Sequence, residues 1–324
     1  MKRVFLLIFS GLFLAVLSRC MFGPNANPPA RPIFVSRQWH FGEFRWLSTT
    51  RLIAEAQEGR WAGLHNIRGG QLVIVDKVAQ TVYPLGMSPI EGRHPSPLGE
   101  APQVAYLKNL SGANEEYRLL VIYDYEQQRE NIIATGLFNS VDWLSRNTMI
   151  VVGRPSGKTQ QGVWVVRMKG NKLAWDFVLS PHCYRIPHIR ANRINNTALV
   201  DCLMKDKVTR RIGILNINNS SITWFPRRGY MYPVWTPSGY IVAQLGSSGL
   251  VLIGQDTSKF APKVIWQLPI NSEMYLTHFD INRSSGVIAI SVEHRGSVDL
   301  YELDPNIIED GEAQKTKVIE MRVR

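Results

Sequence analysis

A strand-rich unit that returns about every 47 residues constrains this chain more than any other feature. Leu72-Val73-Ile74-Val75-Asp76 leads through a polar turn to Thr81-Val82-Tyr83, and Leu119 to Asp124 leads in the same way to Asn131-Ile132-Ile133. Val163 to Val166 precedes Leu173-Ala174-Trp175, and Ile212 to Leu215 precedes Ile222-Thr223-Trp224. Leu250 to Ile253 precedes Val264-Ile265-Trp266, and Val298 to Tyr301 precedes Lys317-Val318-Ile319. Short β-branched runs joined by polar turns are hairpins, and six of them are spaced along the chain.

A second element precedes the last four hairpins. Trp143, Ile189, Trp235 and Phe279 sit 46, 46 and 44 residues apart, each followed by a polar turn and another apolar run. Each unit therefore holds four short strands in up-and-down order. One such sheet leaves both faces wet, whereas a ring of sheets buries each face against a neighbour. The expected fold is all-β, a β-propeller of about six four-stranded blades. A seventh blade would have to come from residues 33–61, where the pattern is poor. The only helical candidate is Thr50 to Trp61. Two modes of closure are open: Ile33 to His40 beside Thr316 to Arg322, or self-contained terminal blades. Large aromatics at a fixed strand position are expected to pack between blades.

Tyr232-Pro233-Val234-Trp235-Thr236-Pro237-Ser238-Gly239-Tyr240-Ile241-Val242 resembles the TolB-type (WD40-like) propeller repeat, written around P-x-W-S-P-D-G. Thr236 and Ser238 stand where that repeat has Ser and Asp, and 143–152 and 279–290 are weaker copies. The resemblance covers 140–304 and extends over 62–139 only as hairpin rhythm. It implies a propeller and almost no particular activity.

The amino end has a different character. Lys2 and Arg3 precede an apolar run from Val4 to Leu17 that is broken only by Ser10 and Gly11. That run is short for a spanning helix, which needs about 20 apolar residues, and has the form of an export signal. Residues 1–22 are expected to be a signal peptide or membrane anchor, 23–32 a Pro-rich tether, and 33–324 the propeller domain. Three outcomes are open for the first segment: cleavage after Ser18, lipidation of Cys20 in a Leu17-Ser18-Arg19-Cys20 box with an atypical Arg19, or retention as an anchor. All three place the domain outside the cytoplasm, periplasmic, at the cell surface or secreted. Cys183 and Cys202 flank a hairpin whose turn lies near Asn192 to Asn196, so they form either a cross-strand disulfide or two buried thiols.

The chain carries a formal net charge of +11, and the stretch from Arg154 to Arg228 alone holds fourteen Lys/Arg against three acids. The positive charge therefore belongs to two adjacent units. Arg185, His188, Arg190 and Arg193 lie about one connection, Lys205, Lys207, Arg210 and Arg211 about another, and Arg227 and Arg228 follow. These ten are the candidate contacts for an acidic partner. Nucleic acid is not expected, because an export signal removes the chain from it and no recognition motif accompanies the charge.

No H-E-x-x-H, G-x-S-x-G or P-loop pattern occurs, and the seven histidines show no ligand spacing. His188 and His278 occupy similar repeat positions, which suggests structural roles at the pore end of two blades. No catalytic residue, metal or cofactor is assigned. The expected function is a non-catalytic, monomeric binding propeller that takes a protein or anionic ligand on a loop face, with membrane association through the amino end. The alternative is a propeller hydrolase or lyase with its site at the central channel. A channel lined by acids and histidines would favour the alternative; one lined by Val, Ser and backbone would favour binding.

Overall fold

The computed structural model describes residues 30–34, 39–58, 70–99, 101–110, 117–170, 172–256, 261–269, 273–295, 297–304 and 306. The expected signal segment, Cys20, most of the expected tether and residues 316–322 lie outside the described residues. No described helix is long and apolar enough to cross a membrane.

Twenty-four strands are present among the described residues. After β1 (Arg31–Phe34), the first unit comprises β2 (Trp39–Trp46), β3 (Arg51–Glu58), β4 (Gln71–Asp76) and β5 (Thr81–Pro84), with the short β6 (Ile90–Glu91) beside β4. Next come β7 (Arg93–Pro97), β8 (Gln103–Asn109), β9 (Arg118–Asp124) and the long β10 (Arg129–Ser145). The first half of β10 pairs with β9 through 129–136, and its second half pairs with β11 (Thr148–Pro155) through 136–145. One strand thus completes the second unit and opens the third, which continues through β12 (Gly162–Lys169) and β13 (Lys172–Leu179). The fourth unit is β14 (Arg185–Asn192), β15 (Thr197–Leu203), β16 (Arg210–Asn216) and β17 (Ser221–Trp224). The fifth is β18 (Tyr230–Trp235), β19 (Ile241–Leu245), β20 (Gly249–Ile253) and β21 (Lys263–Gln267). Last come β22 (Met274–Ile281), β23 (Ile288–His294) and β24 (Ser297–Leu303), whose outer neighbour is β1.

The ring closes through that strand exchange. Arg31 pairs with Glu302 and Pro32 with Tyr301, so the outer strand of the last unit comes from the amino end. Of the two modes of closure left open, self-contained terminal units are excluded, since β1 pairs with Ser297–Leu303; Thr316 to Arg322 lies outside the described residues. β1 ends at Phe34, and Trp39 and His40 belong to β2. The expected helix is also corrected, since Arg51–Glu58 is a strand. Its Ala, Glu, Leu and Gln favour a helix, but pairing with β2 and β4 buries Leu52, Ile53, Ala54 and Ala56, and that tertiary gain overrides propensity.

The core explains why the hairpins carry continuous apolar runs. It divides into six clusters, each shared by two consecutive units, with the last unit sharing one with the first. Successive residues of a strand point to opposite faces, so both faces contribute. In β20, Leu250 and Leu252 pack toward the sixth unit while Val251 and Ile253 pack toward the fourth. In β15, Ala198 and Val200 face the third unit and Leu199 the fifth. The tryptophans stitch neighbours together as well as filling space. Trp143 Nε1 donates to the Ser96 carbonyl of the preceding unit at 2.8 Å, and Trp235 Nε1 to the Arg190 carbonyl at 3.3 Å.

Candidate functional site at the hub

The first strand of each unit faces the axis, and β2, β7, β10, β14, β18 and β22 touch in cyclic order. Every one of these strands has a register irregularity against its neighbour: Phe41/Phe44, Arg93/Ser96, Phe138/Ser140, Arg185/His188, Met231/Val234 and Leu276/His278. A bulge breaks the two-residue alternation and redirects a side chain. Here the redirected residues are polar. Glu43, His94, Ser140, His188, Tyr232 and His278 lie at or within the six irregularities. His94 and Tyr232 hold left-handed backbones at φ 52°, unusual for bulky residues and characteristic of constrained sites.

Glu43 is the centre of this cluster. Its Oε2 lies 2.6 Å from Nδ1 of His94, and its Oε1 lies 3.6 Å from Nδ1 of His188 and 3.4 Å from Arg190. Arg45 Nε stands 3.6 Å from the same Oε1. Burial works against the Glu43 charge, but the contacts with His188 and His94 overturn it and hold the carboxyl well below its usual range. The His188 ring packs edge-on to Tyr232 at 4.4 Å and lies 6.0 Å from the ring of His278. Burial pushes the His188 imidazole down despite Glu43, and pushes His278 down to about 3, so both rings are neutral at pH 7. The His94 amide donates to Glu55 Oε1 at 2.7 Å, which fixes its strained backbone. Burial, aided by the Glu43 charge, raises Glu55. Below Tyr232, Asp201 accepts from Arg210 at 2.7 Å and from the Tyr232 amide at 3.1 Å.

One end of the hub opens as a cavity of about 610 Å³, lined among others by Arg45, Asp142, Arg193, Trp235, Asp280 and Arg283. It is bounded by the turns that follow the first strands. Asp142 bridges units, accepting from Ser96 Oγ at 2.6 Å and from the Ala191 amide at 2.8 Å. Burial raises the Asp142 carboxyl, but the Arg45 and Arg283 charges and these bonds outweigh it and leave it below its usual range. Asp280 accepts from the Trp46 amide at 2.9 Å, and burial pushes it up to about 6 against the pull of Arg45. Arg45 is 5% exposed, and its Nε and one terminal nitrogen have no hydrogen-bond partner among the described residues.

The ten basic candidates do not form one surface. His188 and Arg190 are buried in the hub, and Arg193 is tied to the Pro97, Leu98 and Trp143 carbonyls at the cavity mouth. Arg185 is half-buried at the start of β14. Arg210 is held by Asp201, and Arg211 lies over the Trp224 ring at 5.3 Å. Of the ten, only Lys205, Lys207, Arg227 and Arg228 are exposed, and Lys207 lies over the Tyr184 ring at 4.7 Å. They occupy the turn after β15 and the loop before β18, and alternation of turns puts both on the face opposite the cavity. The Gly229 amide donates to the Arg210 carbonyl at 3.1 Å and so draws the loop beside that turn. Cys183 and Cys202 are joined in a disulfide with a Cα–Cα distance of 5.7 Å.

Glu43, His94, Arg45 and Tyr232 were not singled out from sequence. By the criterion stated above, the hub is lined by acids and histidines.

A ring of antiparallel sheets whose innermost strands surround a common axis is a β-propeller. No protein-family model matches the chain, and no curated protein matches it. Solved structures do. Hydrazine synthase from Kuenenia stuttgartiensis superposes with a TM-score of 0.50 at 11% identity, over 83% of this chain and 78% of that one. TolB from Acinetobacter baumannii gives 0.50 at 10% identity, over 69% of this chain and 54% of that one. The β-propeller domain of the Trilobed protease from Pyrococcus furiosus gives 0.48 at 10% identity, over 83% and 96%. The chain resembles the first two of these proteins in fold.

Proposed function

We propose that the protein is an extracytoplasmic propeller that works at its hub, binding a small anionic ligand in the cavity beside Arg45. The observation that carries this reading is the Arg45 guanidinium. A buried fork with two nitrogens that make no hydrogen bond among the described residues is costly unless an acceptor arrives, and its planar geometry suits a carboxylate or phosphate. Arg283, which reaches the Ala191 carbonyl at 2.9 Å and is partly exposed at the rim, would meet the same ligand. The extracytoplasmic location is supported by the apolar run from Val4 to Leu17 and by the disulfide, which persists in oxidising compartments. Calorimetric titration with citrate and with inorganic phosphate tests the reading. Binding of either that weakens at least tenfold in Arg45→Ala, and is not restored by Arg45→Lys, is the expected result. Failure to bind both anions, or unchanged binding in Arg45→Ala, would overturn it.

The polar lining favours a second reading, in which the ligand is converted rather than held. Neutral His188 and His278 and the Tyr232 phenol, raised by burial, stand beside an ionised Glu43, a set able to move protons. Mass spectrometry of ligand recovered after incubation separates the two readings. Unchanged ligand leaves binding alone; a product formed by the native chain and not by Tyr232→Phe identifies an enzyme.

A further inference from the structure

The anion reading uses Arg45 and the cavity, and leaves the cluster beneath unexplained. We propose that Glu43, His94 and His188 bind one divalent first-row transition-metal ion. One carboxylate oxygen and two imidazole nitrogens from these residues lie within 4.8 Å of one another. This is the donor set of two histidines and one carboxylate, which suits Zn²⁺, Fe²⁺ and their neighbours and leaves positions open for a further ligand. The three come from the first strands of three different units, each placed at a bulge, so the ring and not a local motif assembles them.

A second observation is independent of that proximity. His188 Nδ1 and His278 Nε2 are buried and have no hydrogen-bond partner among the described residues. An imidazole nitrogen buried without a hydrogen-bond partner is costly. That of His188 lies 3.6 Å from Glu43 Oε1, and the His278 ring stands 6.0 Å from the His188 ring. The His94 backbone is left-handed at φ 52°, its amide bonded to Glu55, and in this conformation the imidazole meets Glu43.

The competing account makes Glu43 no more than the counter-ion of Arg45 and Arg190. It explains the carboxylate but not the two imidazoles from other units gathered on it. Arg45, moreover, has Asp142 and Asp280 as further acidic neighbours.

The test uses the full chain, stripped with chelator and free of added anion, so that its outcome does not depend on the cavity reading. Co²⁺ is titrated while its visible d–d absorption is recorded, followed by displacement with Zn²⁺. One Co²⁺ per chain is expected, with absorption stronger than that of the aqua ion and lost on adding one equivalent of Zn²⁺. His94→Gln and His188→Gln should each weaken binding at least tenfold, whereas the exposed His182→Ala should bind as the native chain does. No stoichiometric Co²⁺ binding by the native chain, which needs no variant to fold, would overturn the proposal. Full binding by folded His94→Gln and His188→Gln would overturn it equally.

Discussion

Lys77 Nζ donates to Glu302 Oε2 at 2.8 Å, joining the first unit to the last across 225 residues of sequence. The contact lies beside the β1–β24 pairing, where Gln80 Nε2 also reaches the Ile33 carbonyl at 2.7 Å. Both partners of the ion pair are partly exposed, so its own contribution is about 0.5 kcal/mol. The apolar contacts beneath it are worth more.

Ile33 is 1% exposed, in the cluster shared by the last and first units. Ile33→Ala is expected to lower stability by about 2–4 kcal/mol through lost burial and the cavity left behind. Val78→Ala, at a residue 72% exposed, should stay within about 0.5 kcal/mol. Urea unfolding followed by circular dichroism checks both. Equal effects would mean that β1 does not seal the ring.

Trp143→Phe keeps most of the packing but leaves the buried Ser96 carbonyl without the indole donor. A loss of about 1–3 kcal/mol is expected from that carbonyl, compared with about 3–5 kcal/mol for Trp143→Ala. Differential scanning calorimetry orders the two.

Asp142 has a folded pKa below its unfolded one. Its stabilisation is therefore complete above the unfolded value, near about pH 4, and is lost as pH falls through the lower folded value. Asp142→Asn is expected to cost about 1.5–3 kcal/mol at pH 7, where the native chain holds charge-assisted bonds to Ser96 and Ala191. The gap between native and variant should narrow below about pH 4. Urea midpoints between pH 7 and pH 3 measure it, and a constant gap would count against this role for the charge.

The disulfide closes a sequence separation of 19 residues, for which chain-entropy arguments give about 3 kcal/mol. Cys183→Ser with Cys202→Ser should lower stability by about 2–4 kcal/mol and leave the fold intact. Thiol alkylation of unreduced, unfolded protein from the exported fraction should find neither cysteine reactive.

Much of the ring was legible because burial on both faces writes continuous apolar runs, as in Leu250 to Ile253 and Val163 to Val166. The inner strands of the first two units were not. Their bulges interrupt the alternation at Phe41/Phe44 and Arg93/Ser96, and Arg51–Glu58 has helix-forming composition. The hub was legible only in part. His188 and His278 share a repeat position, which places both near the axis. Glu43 and His94 are 51 residues apart, and only ring closure brings them together. The available clue was a polar residue in each first strand, visible once the units are in register.

The strand exchange has one further consequence. β1 is made before every other strand described here, yet its partner β24 is nearly the last to be made. Until β24 is made this strand has no place to pair, and β24 itself presents an open edge until β1 reaches it. Full chains refolded at high concentration should therefore exchange this strand, one molecule's β1 pairing with another's β24.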